Sequence, residues 1–204
     1  MIEISEKEFL EGKYDNLIIS ELVKDNLIIF PSESSYGFAG ITYSENACNK
    51  IHSVKKEDKT KPIGIITDNA NKVMDFLEME KKGKALLETK FSYPLTILFK
   101  TNKNLPCTSN EFIGVRIPLN QTALKLCNLC DKPLTAPSAN IHGNPAIFSP
   151  NEIKKYFEKE NFIFINAGEL KTKAPSTYYH FEENKILRAG EISLQEIEKA
   201  LNEN

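Results

Sequence analysis

Apolar positions along the chain fall into short runs separated by polar turns, and their spacing changes from run to run. Asp15 to Lys24 places Leu17, Ile18 and Leu22 at helical spacing, and Leu27 to Phe30 follows as an unbroken apolar run of strand length. Ser44 is positioned to cap a helix with Ala47, Ile51 and Val54 on one face. Ile63 to Thr67 reads as a second strand. Asp68 opens an expected helical region through Val73, Met74, Phe76 and Leu77, and Lys81 to Lys90 carries Ala85, Leu86 and Leu87. Pro94 to Phe99 and Ile113 to Pro118 are β-rich runs. Asn120 predicts the cap of a helix running to Cys130, and Pro133 to Ala136 reads as a strand end. Ser149-Pro150-Asn151-Glu152 combines capping-box spacing with proline at the first helical position, which predicts a helix through Phe157. Phe162 to Ile165, Ser176 to Tyr179 and Ile186 to Arg188 read as strands, and Ser193-Leu194-Gln195-Glu196 opens a terminal helix.

Helices and strands interleave, but several neighbouring strands lie too close together for a crossover helix between them. The expected class is α/β of the three-layer α+β type, with a twisted mixed β-sheet flanked by helices. The length of 204 residues suits a single domain spanning 1–204 with an ample core.

Composition narrows the function classes. Apolar residues make up 41%, which places the chain among ordinary globular proteins. With 26 Lys plus Arg against 28 Asp plus Glu, bulk charge announces no nucleic-acid stripe, while a local basic pocket stays open. Cys48, Cys107, Cys127 and Cys130 do not form a disulfide framework. Cys127 and Cys130 are a lone C-x-x-C without a second pair of ligands, since His52, His142 and His180 are scattered; they read as small apolar residues beside Ala123 and Leu124. No leader pattern and no run of about 18 apolar residues occurs, so a soluble, cytoplasmic protein without membrane contact is expected.

Against that background Pro133 to Asn151 contains no Asp, Glu, Lys or Arg in a chain that is 26% charged. Its Ser138, Asn140, His142 and Gly143 are groups that let a backbone approach an anion without a competing carboxylate. Pro31-Ser32-Glu33-Ser34-Ser35-Tyr36-Gly37 is hydroxyl-rich and follows a buried strand, where α/β folds place ligand contacts; as a single stretch it reads equally as a Ser-rich turn. The run Lys55 to Pro62 is either a solvated helix end or a set of lysines beside an anion site. Arg116, with apolar neighbours on both sides, either faces out, pairs with a structural acid, or points into a ligand cleft.

Taken together and in order, these stretches resemble the YrdC-like family of L-threonylcarbamoyladenylate synthases. The family's P-T-[DE]-T-x-Y-G-L is similar to Pro31 through Phe38, P-L-T to Pro94-Leu95-Thr96, and V-R-x-P to Val115-Arg116-Ile117-Pro118. P-S-A-N-x-S-G is similar to Pro137 through Gly143, S-T to Ser176-Thr177, and L-R-x-G to Leu187-Arg188-Ala189-Gly190. The resemblance implies a YrdC-like fold with a concave basic cleft for ATP, L-threonine and bicarbonate, with magnesium accompanying the ATP. Threonine's carbamate would attack the α-phosphate, releasing pyrophosphate, and the adenylate would feed a separate tRNA threonylcarbamoyl-transferase system; a weak tRNA or RNA contact accompanies that role. By the same likeness Ser34, Arg116 and Ser176 would hold threonine, Ser138, Asn140 and Arg188 the nucleotide, Lys55 would reach the triphosphate, and Lys61 stands where an ATP-contacting asparagine is common. Lys55 and Arg116 would carry catalysis.

The chain departs from the family pattern in three places. K-x-R falls on Lys55-Lys56-Glu57, so a carboxylate replaces an anion-binding arginine, with Lys59 or Lys61 as substitutes. The histidine expected within Ile63 to Ile66 is absent, and a serine past the S-A-N motif is Ala146. These changes frame the alternative, a catalytically weakened module that binds a nucleotide, adenylate or RNA without synthesis.

Overall fold

The computed structural model describes residues 1–108 and 110–203. The apolar run after the first long helix forms β2 (Ile28–Pro31), and its neighbours explain why it has no polar face. Leu27 and Ile29 enter one core with Tyr36, Phe38, Ile65, Val115 and Phe164, whereas Ile28 and Phe30 enter another with Phe9, Ile18, Leu126 and Ile165. Strands covered on both faces read as continuous hydrophobic sequence. The same alternation occurs in β9 (Ile163–Asn166), where Phe164 faces the first core and Ile163 and Ile165 the second.

Strands divide between two mixed sheets. One has the order β1-β9-β2-β3, where β1 is Ile2–Ser5 and β3 is Tyr36–Ala39; β1 and β2 both run parallel to β9, and β3 returns antiparallel to β2. The other has the order β11-β10-β6-β7-β4-β8, comprising β4 (Ile65–Ile66), β6 (Leu95–Thr101), β7 (Phe112–Arg116), β8 (Leu134–Thr135), β10 (Thr177–His180) and β11 (Lys185–Arg188). β5 (Leu77–Glu78) pairs with the far end of β6. The uncharged stretch joins the sheets: Thr135 N–H donates to the Gly40 carbonyl at 2.9 Å, Phe38 N–H to Pro137 at 2.9 Å, and Ala139 N–H to Tyr36 at 2.8 Å. The mixed, helix-flanked architecture expected from strand spacing is therefore present, divided into two sheets rather than one.

Four of the helices begin where the sequence supplies a legible side-chain cap. Ser44 Oγ accepts from Ala47 N–H at the start of α3 (Glu45–Lys55), and Asn120 Oδ1 accepts from Thr122 and Ala123 at the start of α5 (Gln121–Asn128). Ser149 caps α6 (Pro150–Phe157), and Ser193 and Glu196 exchange reciprocal bonds ahead of α7 (Leu194–Glu203). The first helix-like stretch, expected over Asp15 to Lys24, is α2 (Asp15–Val23).

Three expectations need correction. The helical region expected from Asp68 is a single 3-10 turn, Ala70–Lys72, followed by β5; Val73, Phe76 and Leu77 are buried, but tertiary packing rather than helical periodicity places them. The helix after Asn120 stops at Asn128, short of Cys130. β1 and α1 (Glu6–Leu10) were not expected, because β1 exposes three of its four residues and has no apolar run to mark it. The four cysteines are free and buried, and Cys127 and Cys130 pack with Ala123 in the second core.

Candidate active site

A cleft of about 740 Å³ opens where the β2–β3 turn, the end of α3, the strand ends of the second sheet and the uncharged stretch meet. All eight residues singled out in the sequence line it: Ser34, Lys55, Lys61, Arg116, Ser138, Asn140, Ser176 and Arg188. Segments separated by more than a hundred positions in sequence converge there.

Arg116 closes β7 and is mostly buried. Its Nη2 lies 3.6 Å from Glu33 Oε2, while Glu33 Oε1 accepts from Leu119 N–H at 2.5 Å and Asn120 N–H at 2.8 Å. Burial alone would raise the Glu33 carboxyl, but the Arg116 guanidinium and these backbone amides outweigh it and hold it below the usual glutamate value. Structural pairing and a cleft position, open alternatives from sequence, are thus both true of Arg116. Glu33 anchors one side of the guanidinium, and a guanidinium has further donors for a carboxylate or phosphate.

Ser176 and Arg188 form a second group. Arg188 Nε and Nη2 donate to the Ser176 carbonyl at 3.3 and 3.0 Å, Nη2 also reaches Ser176 Oγ at 3.1 Å, and Ser176 Oγ lies 2.8 Å from Thr96 Oγ1. The Arg188 guanidinium stacks 5.1 Å from the Tyr178 ring centroid. Glycine is required at the end of the L-R-x-G stretch: a Cβ on Gly190 would stand 2.5 Å from Thr177 N and 2.6 Å from the Pro175 carbonyl.

Lys55 differs from what the sequence suggested. Its ammonium donates to Ser138 O at 2.7 Å, Asn140 O at 3.1 Å and Asn140 Oδ1 at 3.2 Å, and its own carbonyl accepts from His142 N–H at 2.6 Å. Only 5% of the residue is exposed. Burial holds the ammonium below the ordinary lysine pKa, with Glu57 acting in the opposite direction. All three of these bonds are to the Ser138–Asn140 wall of the cleft, so the lysine braces that wall from within the site. Asn140 is braced equally: its Oδ1 also accepts from Ser138 Oγ, and its Nδ2 donates to Asn144 O at 2.6 Å.

Lys61 remains at the rim, its Nζ 3.1 and 3.2 Å from the two ring nitrogens of His142. His142 thus brings an imidazole into the cleft although the position within Ile63 to Ile66 has none. Glu57 also reaches the cleft wall, but its carboxylate lies 3.6 Å from His52 Nδ1 and is largely buried. Ala146 lines the cleft where a serine was expected. Sequence reasoning did not pick out Tyr178 or Lys173 as cleft residues, nor Glu33 as the anchor of Arg116. Tyr178 carried no signal beyond its strand, and Lys173 sits in a loop without a motif. Among the described residues no group of three or more His, Cys, Asp or Glu could hold a metal ion, and no helix is long and apolar enough to cross a membrane.

Comparison with known proteins gives the following. The family Sua5/YciO/YrdC, described as telomere recombination, matches residues 20–190. A threonylcarbamoyl-AMP synthase of Pyrococcus abyssi is 28% identical over 99% of this chain and 61% of its own length. One of Pseudoalteromonas atlantica is 24% identical over 85% of this chain and 96% of its own. The crystal structure of P. abyssi Sua5 complexed with L-threonine superposes with a TM-score of 0.82 at 26% identity, covering 98% of this chain and 59% of that one. The chain therefore spans about three-fifths of the length of the P. abyssi proteins it matches.

Proposed function

The chain belongs to the Sua5/YciO/YrdC family, and from that membership and the make-up of its cleft we propose that it is an L-threonylcarbamoyladenylate synthase. The observation that carries this reading is the convergence of Arg116, Arg188, Ser34, Ser138 and Ser176 on one cleft, together with the likeness to relatives of that name and to a threonine-bound structure. L-threonine's amine and bicarbonate give a carbamate and water. A carbamate oxygen then attacks the α-phosphorus of ATP, the bond to the β-phosphate oxygen breaks, and pyrophosphate leaves.

Such a displacement needs alignment and charge neutralisation rather than a covalent nucleophile. In this reading Arg116, held by Glu33, takes the threonine carboxylate in a bidentate fork, and Ser34 and Ser176 orient the rest of the amino acid. Arg188, Ser138, Asn140 and Lys61 face the nucleotide phosphates, while Lys55 keeps the Ser138–Asn140 wall in place and adds its charge through space. Magnesium enters with the ATP as part of that substrate, held by its phosphates and by water. The adenylate passes to a separate tRNA-modifying transferase system, a weak tRNA or RNA contact fits that hand-over, and four buried thiols suit a reducing cytoplasm.

A second reading, a cleft retained without synthesis, is favoured by Glu57 on the cleft wall and by the bonds that tie Lys55 to the Ser138–Asn140 wall. Pyrophosphate release separates the two. The synthase releases it only when ATP, threonine and bicarbonate are all present; release that ignores threonine, or none at all with ATP bound, defeats the proposal. A Glu57→Arg variant that gains ATP affinity and turnover together would mark the natural site as eroded.

A further inference from the structure

Tyr178 is the second residue of β10 and stands two positions after Ser176, so the two side chains leave the same face of the second sheet, and both line the cleft. Thr177 and Tyr179, on the opposite face, are fully buried. Tyr178 pairs with Thr96 of β6, and its ring runs from there across the sheet toward β7 and β4. A Cβ on Gly114 would stand 2.1 Å from the Tyr178 hydroxyl oxygen and 2.7 Å from Cζ, and one on Gly64, just ahead of β4, 3.8 Å from that oxygen. Glycine at position 114 is what admits the ring. The phenol thus forms part of the cleft floor. Arg116 lies two residues beyond Gly114 on the same face of β7, and the Arg188 guanidinium covers the ring.

The fold makes no use of this hydroxyl. Those of Tyr36, Tyr43 and Tyr179 donate to protein acceptors at 2.8, 2.9 and 2.8 Å, whereas that of Tyr178 makes no hydrogen bond with a described residue. Burial raises the phenol above the ordinary tyrosine value, with Arg188 and then Arg116 acting in the opposite direction, so near neutral pH it is an O–H donor. Both charges that act on it are cationic. A donor without a protein acceptor, set beside two guanidiniums, has an anionic oxygen as its complement.

We propose that the Tyr178 hydroxyl is a substrate contact, donating to a carboxylate-type oxygen held between Arg116 and Arg188. Resting on the synthase reading, that oxygen belongs to the carbamate. Arg116 anchors the amino acid by its carboxylate and Arg188 faces the phosphates, so the carbamate is the group that must span the gap between them. One carbamate oxygen accepts from Tyr178, which disfavours hydrolysis back to amine and bicarbonate and leaves the other oxygen aimed at the α-phosphorus.

Tyr178→Phe tests this, because it keeps the ring, its stack on Arg188 and its fit over Gly114 and removes the hydroxyl alone. With L-threonine, bicarbonate labelled at carbon and α,β-methylene-ATP, the wild-type protein should give a bound carbamate signal by carbon NMR that the Phe variant loses. In pyrophosphate release from ATP the variant should need roughly tenfold more bicarbonate for half-maximal rate, with the KM for ATP near that of wild type. Tyr178→Leu, which removes the ring as well, should also raise the KM for ATP by freeing Arg188. If the wild-type protein turns over and the Phe variant matches it in carbamate signal and bicarbonate dependence, Tyr178 merely fills the space over Gly114; the proposal falls and the synthase reading stands. A Phe variant whose responses to ATP, threonine and bicarbonate decline together with its Tm overturns the proposal in the same way. Wild-type protein that releases no pyrophosphate yet binds the carbamate through the Tyr178 hydroxyl retires the synthase reading and upholds this contact. Neither release nor bound carbamate ends both.

Discussion

At the scale of single residues, the cleft is governed by which side chains are already engaged. Arg116 is pre-oriented by a carboxylate that two backbone amides hold, so the two residues act as a unit. Arg116→Ala should abolish threonine use and, because it leaves the buried Glu33 carboxylate without its countercharge, also lower stability; an activity assay beside denaturant melts separates the two effects. Glu33→Gln keeps an acceptor for the amides but removes the countercharge; it should cost roughly 1 to 3 kcal/mol of stability and raise the threonine KM more than it lowers kcat. Equal effects on ATP and threonine would place Arg116 elsewhere in the reaction. His52 supplies a pH prediction. Burial lowers its pKa below the ordinary imidazole value, with Glu57 opposing, so between that value and the lower folded one the unfolded chain binds more protons. Stability should therefore fall as pH drops below about 6.5, and His52→Gln should remove that component. Denaturant melts of both proteins at neutral and mildly acidic pH check this; a constant difference between them would contradict it.

At the scale of elements, local signals were reliable where the chain satisfies its own backbone. Ser44, Asn120, Ser149 and Ser193 each start a helix because a short side-chain acceptor meets an otherwise unpaired N–H. They failed where distant packing decides, as in the Asp68 segment, whose buried Val73 and Phe76 have helical spacing but whose backbone turns and pairs with β6. β11 depends on a close backbone approach at Gly190. Gly190→Ala must push apart Pro175, Thr177 and the strand end, at a cost of about 1 to 3 kcal/mol. Thermal unfolding should show a Tm several degrees lower, and because the displaced segment carries Ser176 and Arg188, substrate affinity should fall as well. A variant with wild-type Tm would mean that the strand end yields freely.

At the scale of the whole molecule, β2, β9 and β4 feed residues to both cores, so neither core can lose its packing without exposing the other. Unfolding should be one transition, coincident by far-UV circular dichroism and tyrosine fluorescence; two separated midpoints would show that the cores are independent. The fold class, most elements and the eight residues to which the family resemblance pointed, all of which line the cleft, were legible in the sequence, because runs, caps and short motifs are properties of neighbouring residues. Two sheets instead of one, the pairing of β1 with β9, the turning inward of Lys55 and the placement of Glu57 beside His52 were not. Each depends on contacts between positions far apart in the chain, or on whether a charged group finds its partner in the protein or in a ligand. A sequence names the donors and acceptors in a cleft; only the folded geometry determines which of them are already bonded and which remain to bind.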